Sequence, residues 1–317
     1  MTEQRRRIRL ISNPQAGRGG AKRAAEVARF CALLGARGIE VETVSTGAPG
    51  DATRLAAEVA REGGAREVIV SGGDGTINEA LQGLAGGRVR LGIWPAGTAN
   101  VLARELRLPF DAPGAADVIA RGETRRIYAG CATEEASGAR RYFFLMAGIG
   151  LDASVVERVR PRLKRRVGEG AFWVSGLGHL VRWRPVPFRV EVGGQTYPAT
   201  FAAFGRAAHY GGDISVTPGA RLDEPEFEIC IVNSHSRLRF LRLLAHGLRR
   251  DGVRPEMPGV RYVRATRARA TGEARMQVDG ELTGRLPVTF EIAPVPIEVI
   301  APREANRDAR RGGQRPR

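Results

Sequence analysis

Residues 5–128 alternate short β-like apolar runs with helix-length segments, and this alternation constrains the fold more than any other feature of the chain. "RIRLIS" precedes a helical pattern over 19–35, "IEVETVS" one over 51–62, "EVIVS" one over 76–85, and "VRLGIWP" one over 98–107. Strands separated by helices make a parallel sheet covered on its faces, because each crossover must climb back over the sheet. Pro109 and Pro113 are expected to close this part. From about residue 127 the runs come with short connections: "RRIYAGCA", "YFFLMAGIG", "FRVEVGG", "QTYPATFAAF", "FEICIVNS", "VRYVRATRARA", "ARMQVDGE", "VTFEIA" and "PIEVIA". They predict a mostly antiparallel second domain with helical insertions near 153–183 and 236–250. No internal repeat interrupts this two-part organisation.

The chain of 317 residues carries a net charge of +16, divided as +5 over residues 1–128 and +11 over 129–317. A basic second half suits an anionic membrane or a nucleic acid; a GC-rich genome would also give the arginine bias, since Lys22 and Lys164 are the only lysines. Cys31, Cys131 and Cys230 form no CxxC pair, which argues against a zinc site or a disulfide framework. No apolar run approaches the roughly 18–20 residues of a membrane span. A soluble cytoplasmic protein is expected, with residues 303–317 a disordered basic tail.

Three glycine-rich turns follow strands of the first part: "SNPQAGRGG" (12–20), "SGGDGT" (71–76) and "PAGTAN" (95–100). Strand carboxyl ends share one edge of a parallel sheet, so the turns can converge. Glycines admit close backbone approach and helix N-terminal amides attract anions, which points to a phosphate chain. Each turn alone is equally a tight strand-to-helix connection. Asp74 among such amides would repel phosphate unless a divalent cation lay between, so Asp74 is a candidate magnesium ligand; an N-cap for the following helix is the simpler alternative. Neither lysine stands in a GxxxxGK[ST] context, and "GIGLDA" lacks the βαβ setting of a dinucleotide fingerprint.

"NPQAG", "SGGDGTINEAL", "PAGTAN", "GIGLDASVV", "YGGDISVTPGARLD" and "VDGE" together resemble, in order, the motifs of the diacylglycerol kinase catalytic superfamily, which includes sphingosine and ceramide kinases. The resemblance implies an N-terminal α/β nucleotide-binding domain of phosphofructokinase/NAD-kinase type (1–128), a C-terminal β-sandwich lipid-substrate domain (129–285), and a segment returning to the first domain (286–302). It implies ATP and Mg²⁺ as cofactors. Asn13, Pro14, Gly17, Thr46, Ser71, Gly72, Gly73, Asp74, Gly75, Thr76 and Thr98 would bind the nucleotide. Asp279 would be the general base, with Glu281 beside it and Asp74 on the metal; read without the family, "DG" between two β-like runs is a hairpin turn. Relatives carry a pattern like "KLDDG" where this chain reads "RLDEPEFE", so Glu224 and Glu226 are the candidate ligands of a second, structural magnesium. Asp152 matches a further aspartate of the family's metal network.

The implied activity is phosphorylation of a lipid hydroxyl, diacylglycerol first, at an anionic membrane surface on the cytoplasmic side. NAD kinase, a sphingoid or ceramide kinase, and a basic lipid- or nucleic-acid-binding protein are the alternatives; the glycine loops with Asp74 and Asp279 disfavour nucleic acid. On the helix over 237–250, Arg239, Arg242, His246, Arg249 and Arg250 share one face and Phe240, Leu241, Leu244 and Leu248 the other. That helix could rest on lipid or pack its leucines inward; the aromatic and basic stretch 158–185 repeats the theme. Edge strands of the second domain could pair two copies into a homodimer.

Overall fold

A computed structural model describes residues 6–17, 20–62, 66–151, 153–154, 183–210, 214–247, 252–253 and 257–303. Asp152, most of the 158–185 stretch, residues 248–250 and the tail beyond 303 lie outside the described residues.

The first unit is built from β1 (Arg7–Ser12), α1 (Gly20–Gly35), β2 (Glu40–Ser45), α2 (Asp51–Glu62), β3 (Glu67–Gly72), α3 (Asp74–Leu84), β4 (Arg90–Pro95), α4 (Val101–Glu105) and α5 (Ala112–Arg121). Its six-stranded sheet runs β2-β1-β3-β4-β20-β5, where β5 is Thr124–Ile127 and β20 is Ile297–Ile300. All six residues of β3 are buried, as its central place in a sheet covered on both faces requires. The segment 98–107 forms only a short helix, and α5 appears where two prolines suggested an ending. Pro113 sits in the first turn of α5, where its missing N–H costs nothing, and Asp111 caps that turn by accepting from the Gly114 amide at 2.8 Å.

The second unit contains β6 (Gly130–Glu134), β7 (Arg140–Phe143), β8 (Met146–Ile149), β9 (Phe188–Val192), β10 (Gln195–Ala199), β11 (Phe201–Gly205), β12 (His209–Tyr210), β13 (Ile214–Ser215), β14 (Phe227–Val232), α6 (Arg237–Gly247), β15 (Val260–Ala265), β16 (Arg267–Gly272), β17 (Arg275–Val278), β18 (Glu281–Arg285) and β19 (Val288–Ile292). Two six-stranded sheets, β10-β9-β16-β19-β6-β7 and β15-β14-β11-β8-β17-β18, enclose a core in which Phe204 stacks on Phe290 at 3.8 Å. β12 and β13 pair with each other as a separate two-stranded sheet.

Several runs that read as single strands are two. "YFFLMAGIG" breaks between β7 and β8, "QTYPATFAAF" between β10 and β11, and "VRYVRATRARA" between β15 and β16, each half joining a different sheet. At most two residues separate the halves, too short a gap for a change of periodicity to mark the corner. β19 belongs to the second unit, so the segment returning to the first sheet starts after Ile292 rather than at 286. There β20 lies parallel to β4 and antiparallel to β5.

Candidate active site

The three glycine turns do converge. Asn13 donates its side-chain amide to Thr76 Oγ1 at 3.1 Å and accepts from the Gln15 amide at 2.9 Å, which shapes the NPQAG turn over the start of α3. Gly73 and Gly97 touch backbone to backbone: a Cβ on Gly97 would stand 2.5 Å from Gly73 Cα and 2.9 Å from Asn100 Oδ1. Gly17, with φ +65°, would meet the Ala96 carbonyl oxygen at 3.0 Å. Packing this close admits only glycine. Asn100, itself at φ 48°, holds the PAGTAN turn closed by exchanging two hydrogen bonds with Gly97.

A polar cavity of about 210 Å³ lies at this edge, lined by Asn13, Gln15, Thr46, Gly47, Thr76 and Glu79. A larger one of about 470 Å³ opens beyond Gly17 and Ala96, where Lys22, Arg23 and Arg29 supply positive charge and Glu26 and Asp111 oppose it. Arg23 is buried, with its guanidinium 4.4 Å over the Trp94 ring and hydrogen-bonded to Ser71 Oγ.

The expected nucleotide-binding set therefore divides. Asn13, Thr46 and Thr76 line the smaller cavity, with Gly72, Gly73 and Gly75 in the turn beneath it. Ser71 does not: it is fully buried and its hydroxyl is spent on Arg23 and the Trp94 carbonyl. It stands one residue before the end of β3, where side chains alternate, and this one points into the sheet's packing. Pro14, Gly17 and Thr98 are exposed on the surrounding turns.

Asp74 is not the cap of its own helix. Its two oxygens accept from the Val101 and Leu102 amides at 3.1 and 3.2 Å, so it caps α4 instead. Burial pushes its carboxyl above the usual range despite those donors. A hard cation beside it would relieve that penalty. One carboxylate with phosphate oxygens and water is how magnesium is commonly held, so Asp74 fits it.

Glu224 and Glu226 do not fit a second magnesium. Glu224 is spanned by Arg221 at 3.1 Å and Arg264 at 2.9 Å, and Glu226 meets Arg264 at 2.6 Å. Among the described residues no three Asp, Glu, His or Cys side chains gather as a cation site.

Asp279 occupies the first place of a two-residue turn between β17 and β18, with Val278 opposite Glu281. It is left-handed at φ 46° and Gly280 follows at φ 81°, so the hairpin that "DG" spells is present. Its Oδ1 accepts from the Leu145 and Met146 amides at 3.0 and 2.9 Å; its Oδ2 accepts from the Phe144 amide at 3.0 Å and from Asn78 Nδ2 at 2.8 Å. The corner between β7 and β8 thus exists to aim three amides at this carboxylate. Burial nevertheless raises it, against those donors, to about 6. Glu281 pairs with Arg141 and lies over Gly75, whose added Cβ would be 3.9 Å from Glu281 Oε1.

Asn78 and Gln82 were not singled out from sequence. Gln82 exchanges hydrogen bonds with both backbone groups of Tyr142 at 2.9 Å, clamping the β7 end to α3. Asp74, Asn78 and Gln82 recur every fourth residue, a polar stripe along one helix face that could have revealed them. A buried carboxylate in one domain is therefore tied to the glycine turn of the other through a single helix.

An α/β domain with converging glycine turns, a desolvated carboxylate near them and a second carboxylate delivered by a β-sandwich define a two-domain phosphotransferase site. Residues 7–132 match the Diacylglycerol kinase catalytic domain, and residues 146–301 the YegS C-terminal NAD kinase beta sandwich-like domain. The chain is 34% identical over 303 residues to the diacylglycerol kinase of Mycobacterium tuberculosis, covering 94% of this chain and 96% of that one. It is 31% identical to that of Staphylococcus aureus, covering 95% and 94%. A solved chain from Bacillus anthracis str. Sterne superposes with a TM-score of 0.78 at 25% identity over 93% of this chain and 95% of that one. A diacylglycerol kinase of the same strain shares the fold, with a TM-score of 0.72 at 23% identity over 95% and 98%. The chain belongs to the diacylglycerol kinase family, enzymes that transfer phosphate to an alcohol. No helix among the described residues is long and apolar enough to cross a membrane.

Proposed function

We propose that the chain is an ATP- and Mg²⁺-dependent lipid kinase that moves the γ-phosphate to the primary hydroxyl of diacylglycerol, giving phosphatidic acid. The observation that carries the reading is Asp279, held by three amides of one domain and joined through Asn78 to the helix that begins at the SGGDGT turn of the other. Phosphoryl transfer asks for alignment and charge stabilisation more than covalent help. The glycine amides cradle the triphosphate, and magnesium held by Asp74 would neutralise charge on its oxygens. Asp279 receives the acceptor's proton on Oδ2, because Asn78 is the one side-chain donor in the cradle and so the one that can swing aside for a hydroxyl. A carboxyl near 6 is ionised at neutral pH yet basic enough to hold a proton in passing. The 144–146 amides hold it throughout, and Asn78, steadied by Gln82, orients it until the hydroxyl arrives.

The lipid is met at an anionic bilayer, on the cytoplasmic face. On α6, Phe240 and Leu243 are buried, Phe240 edge-on to Trp183 at 4.8 Å, whereas Leu238 is 69% and Leu241 41% exposed, with Arg237 and Arg242 exposed beside them. Leu241 is thus on the outer face, parted from Phe240, with which the helical pattern grouped it. An apolar pair flanked by arginines suits the headgroup boundary.

The test is transfer of labelled γ-phosphate from ATP to a panel of hydroxylated lipids in mixed micelles containing anionic phospholipid, with NAD as a control acceptor. Labelled phosphatidic acid, lost in Asp279→Asn, is expected. Labelled NAD, or transfer to another lipid with diacylglycerol left untouched, would overturn the acceptor.

A further inference from the structure

Among the described residues Arg206 is the largest fully buried side chain, at 0% exposure. It follows β11 directly, as the one charged residue in the apolar run "FAAFGRAA". A buried guanidinium ordinarily faces a carboxylate, because an unpaired charge in the interior costs several kcal/mol. Among the described residues no carboxylate oxygen pairs with it. Its donors go instead to backbone carbonyls: Nε to Tyr128 at 2.9 Å, Nη2 to Leu222 at 3.0 Å and Glu224 at 2.6 Å, and Nη1 to Glu226.

Three of those four carbonyls belong to the loop 222–226, where the family resemblance places a structural magnesium with acidic or carbonyl ligands. A ring of inward carbonyl oxygens with carboxylates just outside is what a hard cation wants. Here that ring is closed on a positive charge already present. The carboxylates outside it are satisfied from the other direction, Glu224 and Glu226 by Arg264 and Asp223 by Arg221. The guanidinium also reaches across the boundary between domains. Tyr128, which accepts from Arg206, stands between β5 of the first sheet and β6 of the second unit, and its own amide donates to the Leu222 carbonyl at 2.8 Å.

We propose that this chain has no structural divalent-cation site in the 221–226 loop, and that the Arg206 side chain is its built-in replacement, fastening the loop to the strand linker between the two domains. The chain's need for magnesium is then confined to the ion that travels with the nucleotide. Burial lowers the guanidinium to about 10, which leaves it a cation at neutral pH. The inference goes beyond the kinase reading and does not depend on the donor or the acceptor.

Mn²⁺ serves as the probe, its binding to the whole chain followed by electron paramagnetic resonance without nucleotide, together with thermal melts in EDTA and in excess Mg²⁺. Wild type and the double variant Glu224→Gln/Glu226→Gln are expected to bind the same number of Mn²⁺ ions and to respond alike to Mg²⁺. A bound Mn²⁺, or a Mg²⁺-dependent rise in Tm, that wild type shows and the double variant loses would overturn the proposal. Arg206→Met, close in length without the charge or the donors, is expected to lower Tm, with Arg206→Lys falling between; an unchanged Tm for Arg206→Met would equally overturn it. If Arg206→Met does not fold, the Mn²⁺ comparison on wild type decides alone.

Discussion

The Asp279 carboxylate sets two opposing effects against each other, and pH separates them. Four hydrogen-bond donors favour the ionised form; removal from water disfavours it and wins, taking the group from its ordinary 3.8 to about 6. Because the folded value lies above the unfolded one, the group's contribution to stability is full below about 3.8 and is lost as pH rises through about 6. At ~1.36 kcal/mol per pH unit that loss amounts to about 3 kcal/mol, most of it between roughly pH 4 and 6. Asp279→Asn does not titrate. Urea unfolding of both proteins from pH 4 to 8 should therefore show wild type losing about 2–3 kcal/mol relative to the variant as pH rises. The variant carries its own constant cost, since its amide turns one N–H group toward donors that had faced an oxygen. If its nitrogen takes the Oδ2 position, the Phe144 amide is orphaned and Asn78 must turn over, losing its 3.1 Å bond from Gln82; one such orphan costs about 1–3 kcal/mol at every pH. The same ionisation should limit turnover, with kcat/KM falling about tenfold per pH unit below 6 and the limb absent from the residual activity of the variant. A stability difference that stays flat, or that grows in favour of wild type as pH rises, would mean that the donors outweigh burial, and this account of the base would be wrong.

Other sites give simpler expectations. Asn78→Ala should lower kcat by up to about 10²-fold while the KM for ATP stays near its wild-type value, because it loosens the base and leaves the glycine turns intact; steady-state kinetics with ATP varied would separate this from a nucleotide defect. Gly97→Ala places a methyl 2.5 Å from Gly73 Cα and should cost ~1–3 kcal/mol or more in unfolding free energy and raise the KM for ATP. Leu238→Asp with Leu241→Asp should leave Tm unchanged and phosphorylation of a short-chain, water-dispersed diacylglycerol intact, but reduce binding to anionic vesicles at least tenfold, since each inserted leucine contributes roughly 1.5–3 kcal/mol; unaltered vesicle sedimentation would remove α6 from the membrane contact.

How much of this was legible in the sequence follows from where each constraint comes from. The strand and helix of each early βα unit are set by neighbours in sequence, so β1 to β4 and their glycine turns could be read directly, and Asp74 announced itself by standing among glycines, whereas Asp279 was marked by the motif resemblance, its own "DG" spelling a hairpin turn. The site's fine structure comes from far along the chain. The β7–β8 corner has no glycine or proline at Phe144 and Leu145 to mark it, and its amides turn because a carboxylate 134 positions downstream accepts from Leu145. Ser71 is spelled like a phosphate-loop serine, yet the direction of its side chain is fixed by strand alternation and by Arg23, 48 positions away. Glu224 and Glu226 could be recognised as acidic, but only the fold brings Arg264 to them, 40 and 38 positions on. Arg206 carried a further overlooked local signal. A charge inside a buried run has to be paired by something, and with no acid in the run itself the partner had to be distant. Here the partner is a ring of backbone carbonyls, which side-chain chemistry cannot spell.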